Sequence, residues 1–173
     1  MFGFFKKSKA AAQPVVEPEP AKEAPRAAPG TGIHYDPQLI DKFKNDHHQL
    51  LGLFGAIKSA FDAGNYALVA ENLDKFRSGL QAHLLVENVR LYIYLEHMLA
   101  GDETSYELVH GFRREMEGIG RVAVAFLTKY KTIGVDKDLA ASFGRELDGI
   151  GKVLVDRITR EEETLYPLYL PAY

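Results

Sequence analysis

Two stretches of the sequence decide the fold: GLQAHLLVENVRLYIYL at residues 79–95 and VLVDRITREEETLYPLYLP at residues 153–171. Each repeats apolar residues three and four positions apart, which is the pattern of an amphipathic helix with one buried face. Aligned so that Glu87 falls on Glu161, the two stretches place His83 on Arg157. Each helix therefore carries a polar pair on the stripe that enters the core.

Composition limits the kind of protein that these helices can build. The chain has 173 residues, of which 46% are hydrophobic and 26% charged, with a net charge of −3, so we expect one domain with a core and no nucleic-acid binding. It has no cysteine, so any metal must be held by histidines and carboxylates. No apolar run approaches the roughly 20 residues of a membrane span. The N-terminus lacks the apolar centre of a signal peptide, which predicts a cytoplasmic protein.

Residues 1–32 differ in composition from the rest of the chain. Five of the eight prolines fall between Pro14 and Pro29, among alanines and glutamates. Such a segment buries too little apolar surface to fold, so we predict a disordered tether at 1–32 and a folded domain at 33–173. The tip, MFGFFKKSK, combines three phenylalanines with three lysines and offers at most a weak contact with a membrane surface.

From residue 33 onward, four apolar stripes predict four helices joined by short turns. Helices joined in this way lie antiparallel, so the sequence predicts an all-α, up-down-up-down four-helix bundle with a disordered N-terminal tail. The predicted bounds are Asp36-Pro37 to Gly64, Asn65 to the AGDE segment at 100–103, about Glu103 to Lys131, and Asp136 to the prolines at 167 and 171.

Polar residues interrupt three of the stripes at one depth of the predicted bundle. They are His47 on the first helix, His83 and Glu87 on the second, and Arg157 and Glu161 on the fourth. Unpaired buried charges cost several kcal/mol, so these groups must compensate one another or hold a cation. Facing side chains in a bundle core commonly build metal sites, and imidazole with carboxylate suits iron, zinc or manganese.

Four segments together resemble a known family: NDHHQLLGLF at 45–54, AHLLVENVRLY at 82–92, REMEGIGRVAVAFL at 114–127 and DRITREEETLYPLY at 156–169. They are similar to the four helices of hemerythrin-like, or HHE cation-binding, proteins, over roughly residues 36–168. The resemblance implies a non-haem di-iron centre in the bundle, which carries oxygen in some members and serves sensing, storage or redox roles in others.

Carried over position by position, the resemblance also implies a set of ligands. The family pattern matches at Asp46-His47, at His83 with Glu87, and at Glu161. If metal binds, we expect one iron per chain rather than two, with His47, His83 and Glu87 as ligands and Glu161 as a fourth ligand or a supporting group. A chain without metal is the alternative.

The chain departs from the family pattern at two positions. Met116 stands where the third helix of the family has histidine, and Arg157 stands where the fourth helix has histidine. An arginine has no lone pair to give a metal, but its guanidinium can fork onto Glu87 and Glu161 in place of a cation. The departures imply that half of a di-iron site has been kept.

The remaining candidate residues are predicted to lie away from the centre. A hydrogen bond from Tyr92 or Tyr166 to a carboxylate is possible but not required. Met116 is interpreted as core filling. The histidines at 34, 48, 97 and 110 and the carboxylate of Glu162 are predicted to face the surface or the edge of the bundle.

Two functions remain open at this stage. The first is a hemerythrin-like metal-binding module that senses oxygen, nitric oxide, iron or redox state. The second is a metal-free bundle that binds another protein, with Arg157 replacing the charge of the metal. We do not expect an enzyme, because the sequence has no nucleophile constellation, no phosphate-binding glycine loop and no Glu-x-x-His pair on the core stripes.

Overall fold

The computed structural model describes residues 26–172, and four long helices account for most of them. The second and fourth helices are not uniform, because each widens into a π-helical turn near its carboxyl end. The first helix is Leu39–Asp62, and the third is Glu103–Lys129. The second helix consists of the α-helical segment Tyr66–Val86, the π turn Glu87–Tyr92 and the α-helical segment Ile93–Met98. The fourth helix consists of the 3-10 turn Lys137–Leu139, the α-helical segment Ala140–Arg160, the π turn Glu161–Leu165 and the 3-10 turn Tyr166–Leu168.

The helix ends follow local signals in the sequence. Asn65 and Asp102 cap the second and third helices, since each side chain accepts a hydrogen bond from a backbone N–H three residues later. Asp136 caps the 3-10 turn that opens the fourth helix, because its side chain accepts a hydrogen bond from the backbone N–H of Asp138, two residues later. Gly64, with a φ of 68°, makes the left-handed turn after the first helix that side chains other than glycine rarely adopt.

The helices pack as a ring in which each one contacts two neighbours. The first helix lies against the second and the fourth, and the third also lies between those two. Short connections return each helix alongside the preceding one, so the predicted all-α four-helix bundle is confirmed. Among residues 26–172, no helix combines the length and the apolar composition that crossing a bilayer requires.

Two apolar clusters fill the bundle and leave a polar layer between them. The larger cluster, here the apolar half, includes Leu80 and Leu154. The smaller one, the aromatic half, includes Phe43, Leu91 and Leu165. Between the two clusters, the polar residues that the sequence predicts to be buried on the first, second and fourth helices do lie in the core. These polar residues are His47, His83, Glu87, Arg157 and Glu161, each no more than 4% exposed.

The chain before the first helix also contacts the bundle. The N–H of Arg26 donates to the carbonyl of Ala172, 2.8 Å away, and Ala28 is 1% exposed. The sequence places the start of the folded domain at residue 33, but this contact brings the segment 26–32 against the bundle as well. The rest of the predicted tether and its tip lie outside the described residues.

Candidate metal centre

His47 lies on the first helix with both ring nitrogens facing carboxylates of the fourth helix. Its Nδ1 is 2.8 Å from Glu162, and its Nε2 is 3.3 Å from Glu161 and 3.3 Å from the hydroxyl of Tyr166. Burial alone would lower the pKa of His47, but the hydrogen bonds with Glu161 and Glu162 outweigh burial and raise it. A carboxylate can only accept, so Nδ1 donates to Glu162 and Nε2 points at the centre of the polar layer.

His83 lies beside His47, with 4.8 Å between the centres of the two rings. Its Nδ1 is 3.5 Å from Asp46, at the limit of a hydrogen bond, and this nitrogen has no other polar partner among the described residues. Burial, with the charge of His47 as the next cause, lowers the pKa of His83 to about 4. The imidazole is therefore neutral near pH 7, which is the form that binds metals.

The two glutamates of the layer differ in charge. Burial would raise the pKa of Glu161, but hydrogen bonds with His47 and Arg157 hold it below its usual value. Burial, and then the charge of Glu161, raises the pKa of Glu87 well above the ordinary range. The Oε1 atom of Glu87 lacks a hydrogen-bond partner within the part of the chain that the structure describes. These shifts favour the carboxylate ion at Glu161 and the protonated acid at Glu87.

Arg157 is the buried cation of the layer. Its Nε donates to Glu161 at 2.5 Å, one terminal nitrogen donates to Glu115 at 3.0 Å, and the other donates to the hydroxyl of Tyr92 at 2.6 Å. The guanidinium also lies over the ring of Phe112, 4.7 Å from its centre. Each of its three nitrogens thereby has a hydrogen-bond acceptor.

The expected fork of Arg157 onto Glu87 and Glu161 is therefore wrong for one arm. Glu161 is a partner, but the third helix supplies Glu115 in place of Glu87. Glu115 reaches inward from a position 40% exposed and also accepts from Arg160, at 2.7 Å. Because Arg157 is directed towards the third helix, Glu87 has no direct bond to a cation.

Three side chains converge on one point that could hold an ion. Ligand atoms of His47, His83 and Glu161 all lie within 4.8 Å of one another. Glu87, the remaining predicted ligand, is not part of this group, although it is close enough to Glu161 for their charges to interact. Among the four predicted ligands, the structure thus groups Glu161 with the histidines and leaves Glu87 beside them.

This donor set fits a metal ion. Two imidazoles and a carboxylate are ligands that iron, zinc and manganese share. Glu162 lies behind Nδ1 of His47, and Asp46 lies on the Nδ1 side of His83. Carboxylates in that position orient metal-binding imidazoles and strengthen them as donors. The unpaired Oε1 atom of Glu87 adds a buried polar group that a cation would satisfy.

The histidines that were predicted to face outward lie at the surface. His34, His48 and His97 are exposed. His110 is 40% exposed and stacks on Tyr106, with 5.9 Å between the ring centres. Met116, in contrast, is buried and lines a cavity of about 30 Å³ beside the two buried histidines. The third helix therefore contributes a thioether, and no imidazole, to the core at this depth.

Sequence reasoning missed the inward role of Glu162 and of Glu115. A regular helix turns 100° per residue and carries Glu162 to the edge of the bundle, but a π turn begins at Glu161 and changes that phase. The other π turn begins at Glu87 and ends at Tyr92, which it helps to bring inward. The signal available in the sequence is the matching spacing of Glu87 to Tyr92 and Glu161 to Tyr166.

Comparison with known proteins gives a single clear relationship. The chain matches the family described as Hemerythrin HHE cation binding domain over residues 38–169, which covers all four helices and the polar layer. No match was found to a curated protein or to a solved structure. On the strength of this match and of the bundle that carries it, the chain belongs to the hemerythrin HHE cation-binding domain family.

Proposed function

We propose that this chain is a metal-binding module whose centre holds one non-haem iron for sensing or regulation in the cytoplasm. His47, His83 and Glu161 would bind the ion, and Glu87 would join them after losing its proton. Bound iron would supply a one-electron redox couple and a coordination position for a small ligand. The protein's own groups supply the pocket, the negative charge and the orientation of the two rings.

The observation that carries this proposal is the arrangement around the two buried imidazoles. His47 donates from Nδ1 to Glu162, which leaves Nε2 directed at the same region as His83 and Glu161. His83 is neutral at working pH, and Glu161 is ionised. His83 and Glu161 therefore each offer an unshared electron pair to a cation, whereas His47 and Glu87, whose pKa values are raised, would each release a proton when the ion binds.

Arg157 supports one ion rather than two. Its guanidinium donates hydrogen bonds to Glu161, Glu115 and Tyr92 simultaneously. Arg157 also stands at the position where the family pattern has a histidine that would bind a second iron. Two positive charges so close would repel each other, and an arginine offers no lone pair. A single iron does not provide the two electrons that a di-iron centre supplies to oxygen, so we do not propose oxygen carriage.

Sensing is favoured over catalysis by the size of the site. The cavity beside His47 and His83 measures about 30 Å³ and is otherwise lined mainly by apolar side chains such as Leu80 and Leu154. That volume is about the share of one water molecule, so it admits a small diatomic ligand and excludes an organic substrate. We therefore propose a regulatory module that is not an enzyme.

The test is elemental analysis of the full chain purified without chelator or affinity metal. Iron, manganese and zinc are counted per chain in the wild type and in His83→Ala. We expect about one iron per chain, reduced to near zero in the variant, because three donors that converge on one point hold a single ion. Retention of the metal in His83→Ala would place the ion elsewhere and contradict the proposal.

One observation favours a second candidate function. Arg157 and its partners already neutralise Glu161, so the layer is close to balanced in charge without any metal. If the wild type stays metal-free after anaerobic reconstitution with ferrous iron, the chain is instead a metal-free bundle that acts by binding another protein. In that case the guanidinium of Arg157 has taken the place of the cation.

A further inference from the structure

A second cavity lies next to the one that touches the histidines. The inner cavity, about 30 Å³, is lined by His47, His83 and Glu161 among others. The outer cavity, about 100 Å³, is lined by Glu87, Asn88 and residues of the third helix. Met116 lines both, and it is the residue that the two described linings share. Its side chain therefore separates a larger outer space from the proposed metal centre.

Two residues that line the outer cavity carry polar atoms that nothing else in the described chain satisfies. Oε1 of Glu87 and Oδ1 of Asn88 are buried, and neither has a hydrogen-bond partner among residues 26–172. Unpaired buried oxygens are rare in native proteins and indicate an ion or a water molecule. Oxygen donors are also what a hydrated divalent cation needs when it gives up part of its water shell.

The charges around the outer cavity do not oppose a cation. Arg113 lines this cavity, but its guanidinium is paired with Glu96 at 2.7 Å. Glu117, which also lines it, is exposed to solvent and adds a negative charge at the outer side. A cation that arrives from solvent therefore meets the carboxylate of Glu117 before it meets the buried oxygens of Glu87 and Asn88.

Another way into the inner cavity is less favourable. On the side of the first helix the inner cavity is lined by Leu51, which is 38% exposed, and by Phe54 and Ile158. These side chains are apolar, so a cation that passed between them would lose water molecules and gain no replacement ligands. Met116, by contrast, is unbranched and has three rotatable side-chain bonds, so it can move aside without a shift of the backbone.

We propose that the outer cavity is an entry site for a divalent cation, with Glu87 and Asn88 as oxygen ligands and Met116 as the gate to the metal centre. The ion first binds in the outer cavity. Rotation of the Met116 side chain then joins the two cavities, and the ion passes to His47, His83 and Glu161. This inference rests on the proposed function, because a gate for metal has no role in a metal-free bundle.

The experiment follows Co²⁺, whose absorbance reports binding, into the full-length protein in a stopped-flow instrument. Met116→Ala should speed both uptake and chelator-driven release about tenfold, equivalent to about 1.4 kcal/mol off the barrier, with the number of ions per chain unchanged. Asn88→Leu should slow uptake. Leu51→Ala is the matched control on the apolar side, and its rates should equal those of the wild type.

A second gate variant protects the test from a folding defect. Met116→Leu keeps the side-chain volume but is branched and stiffer, so uptake should slow while the helical circular dichroism stays unchanged. Normal Co²⁺ binding with unaltered rates in both Met116 variants would overturn the gate alone, as would faster uptake in Leu51→Ala. Failure of every protein, including the wild type, to bind Co²⁺ would overturn the gate and the proposed metal centre together.

Discussion

The second and fourth helices carry the same local design at the same depth, with opposite electrical outcomes. In each, a polar pair four residues apart ends in a glutamate, and a π turn begins at that glutamate. On the second helix, burial lowers the pKa of His83 and raises that of Glu87, so it favours the uncharged form of both. On the fourth helix, Arg157 and Glu161 stay charged and bind each other. The difference arises because the fourth helix has an arginine, Arg157, at the position where the second helix has a histidine, His83.

This comparison shows how one buried layer can combine a fixed and an exchangeable cation. The charge of Arg157 belongs to the chain and is held by three partners, so it is present in every molecule. The neutral imidazole of His83 and the acid of Glu87 carry no charge of their own, and they can adjust to an ion from solution. Substitutions in the polar residues of either helix therefore test whether Arg157 acts as the fixed cation and whether His83 and Glu87 accept an ion from solution.

The largest effect is expected when the fourth helix is made to resemble the second. Arg157→His together with Met116→His removes the fixed cation and adds two imidazoles that line the inner cavity. Metal content should rise from about one ion per chain to about two, since the added donors complete a second nitrogen and oxygen site. Elemental analysis gives the count. A double variant that gains no metal and loses stability would show that the two positions do not face a common ion.

The next effect concerns the cost of removing the fixed cation without replacement. Arg157→Leu leaves the buried Glu161 with His47 but without its arginine partner, so the free energy of unfolding should fall by about 3–5 kcal/mol, as for other broken buried ion pairs. Urea denaturation of the metal-free protein measures this change in the free energy of unfolding. Arg160→Leu is the control, because Arg160 shares Glu115 and Phe112 but is 42% exposed, and it should cost less than about 1 kcal/mol. Equal losses in the two variants would argue against a buried cation.

A smaller effect is expected from the carboxylate behind His47. Glu162→Gln keeps the size of the side chain but removes the charge that orients Nδ1, so metal affinity should drop by about 10–100-fold. Competition with a chelator of known affinity measures the change. Glu163→Gln alters the charge of the neighbouring, exposed position by the same amount and should leave affinity unchanged. A similar drop in affinity in both variants would mean that the affinity depends on the net negative charge near the site and not on the contact between Glu162 and His47.

The smallest effect compares the two tyrosines that follow the glutamates. Tyr92 accepts from the charged Arg157 at 2.6 Å, so Tyr92→Phe should cost about 1.5–3 kcal/mol of stability. Tyr166 lies 3.3 Å from His47 in a weaker contact, and Tyr166→Phe should cost about 0.5–1.5 kcal/mol. Parallel urea titrations of the metal-free variants give the ranking. If Tyr166→Phe costs more stability than Tyr92→Phe, the hydrogen bond of Tyr92 with Arg157 is not the stronger of the two contacts.

Much of the fold could be predicted because it depends on periodicity. Apolar residues three and four apart, with caps at Asn65 and Asp102, identify the helices, and short turns impose the antiparallel order. The same periodicity correctly brings His47, His83 and Arg157 into the core. His83 and Arg157 each lie before a π turn, and His47 lies on a regular α-helix, so the helical phase holds at all three positions.

The details that could not be predicted follow from broken periodicity and from long side chains. The π turn at Glu161 changes the phase of the residues after it, and Glu162 then reaches His47. The direction of the Arg157 guanidinium depends on Glu115, which spans from a half-exposed position on another helix. Neither a phase change within one turn nor the conformer of a long side chain is visible in the spacing of apolar residues.

The pairing of Arg26 with Ala172 has a mechanical consequence. A pull on the chain from its amino-terminal side is applied first to this pairing rather than to the first helix. Ala172 also donates to the hydroxyl of Tyr94, which packs on Tyr169, and Tyr169 follows Tyr166 by one turn. A pull on Arg26 would therefore reach the polar layer through a short line of tyrosines that ends at the ring of His47.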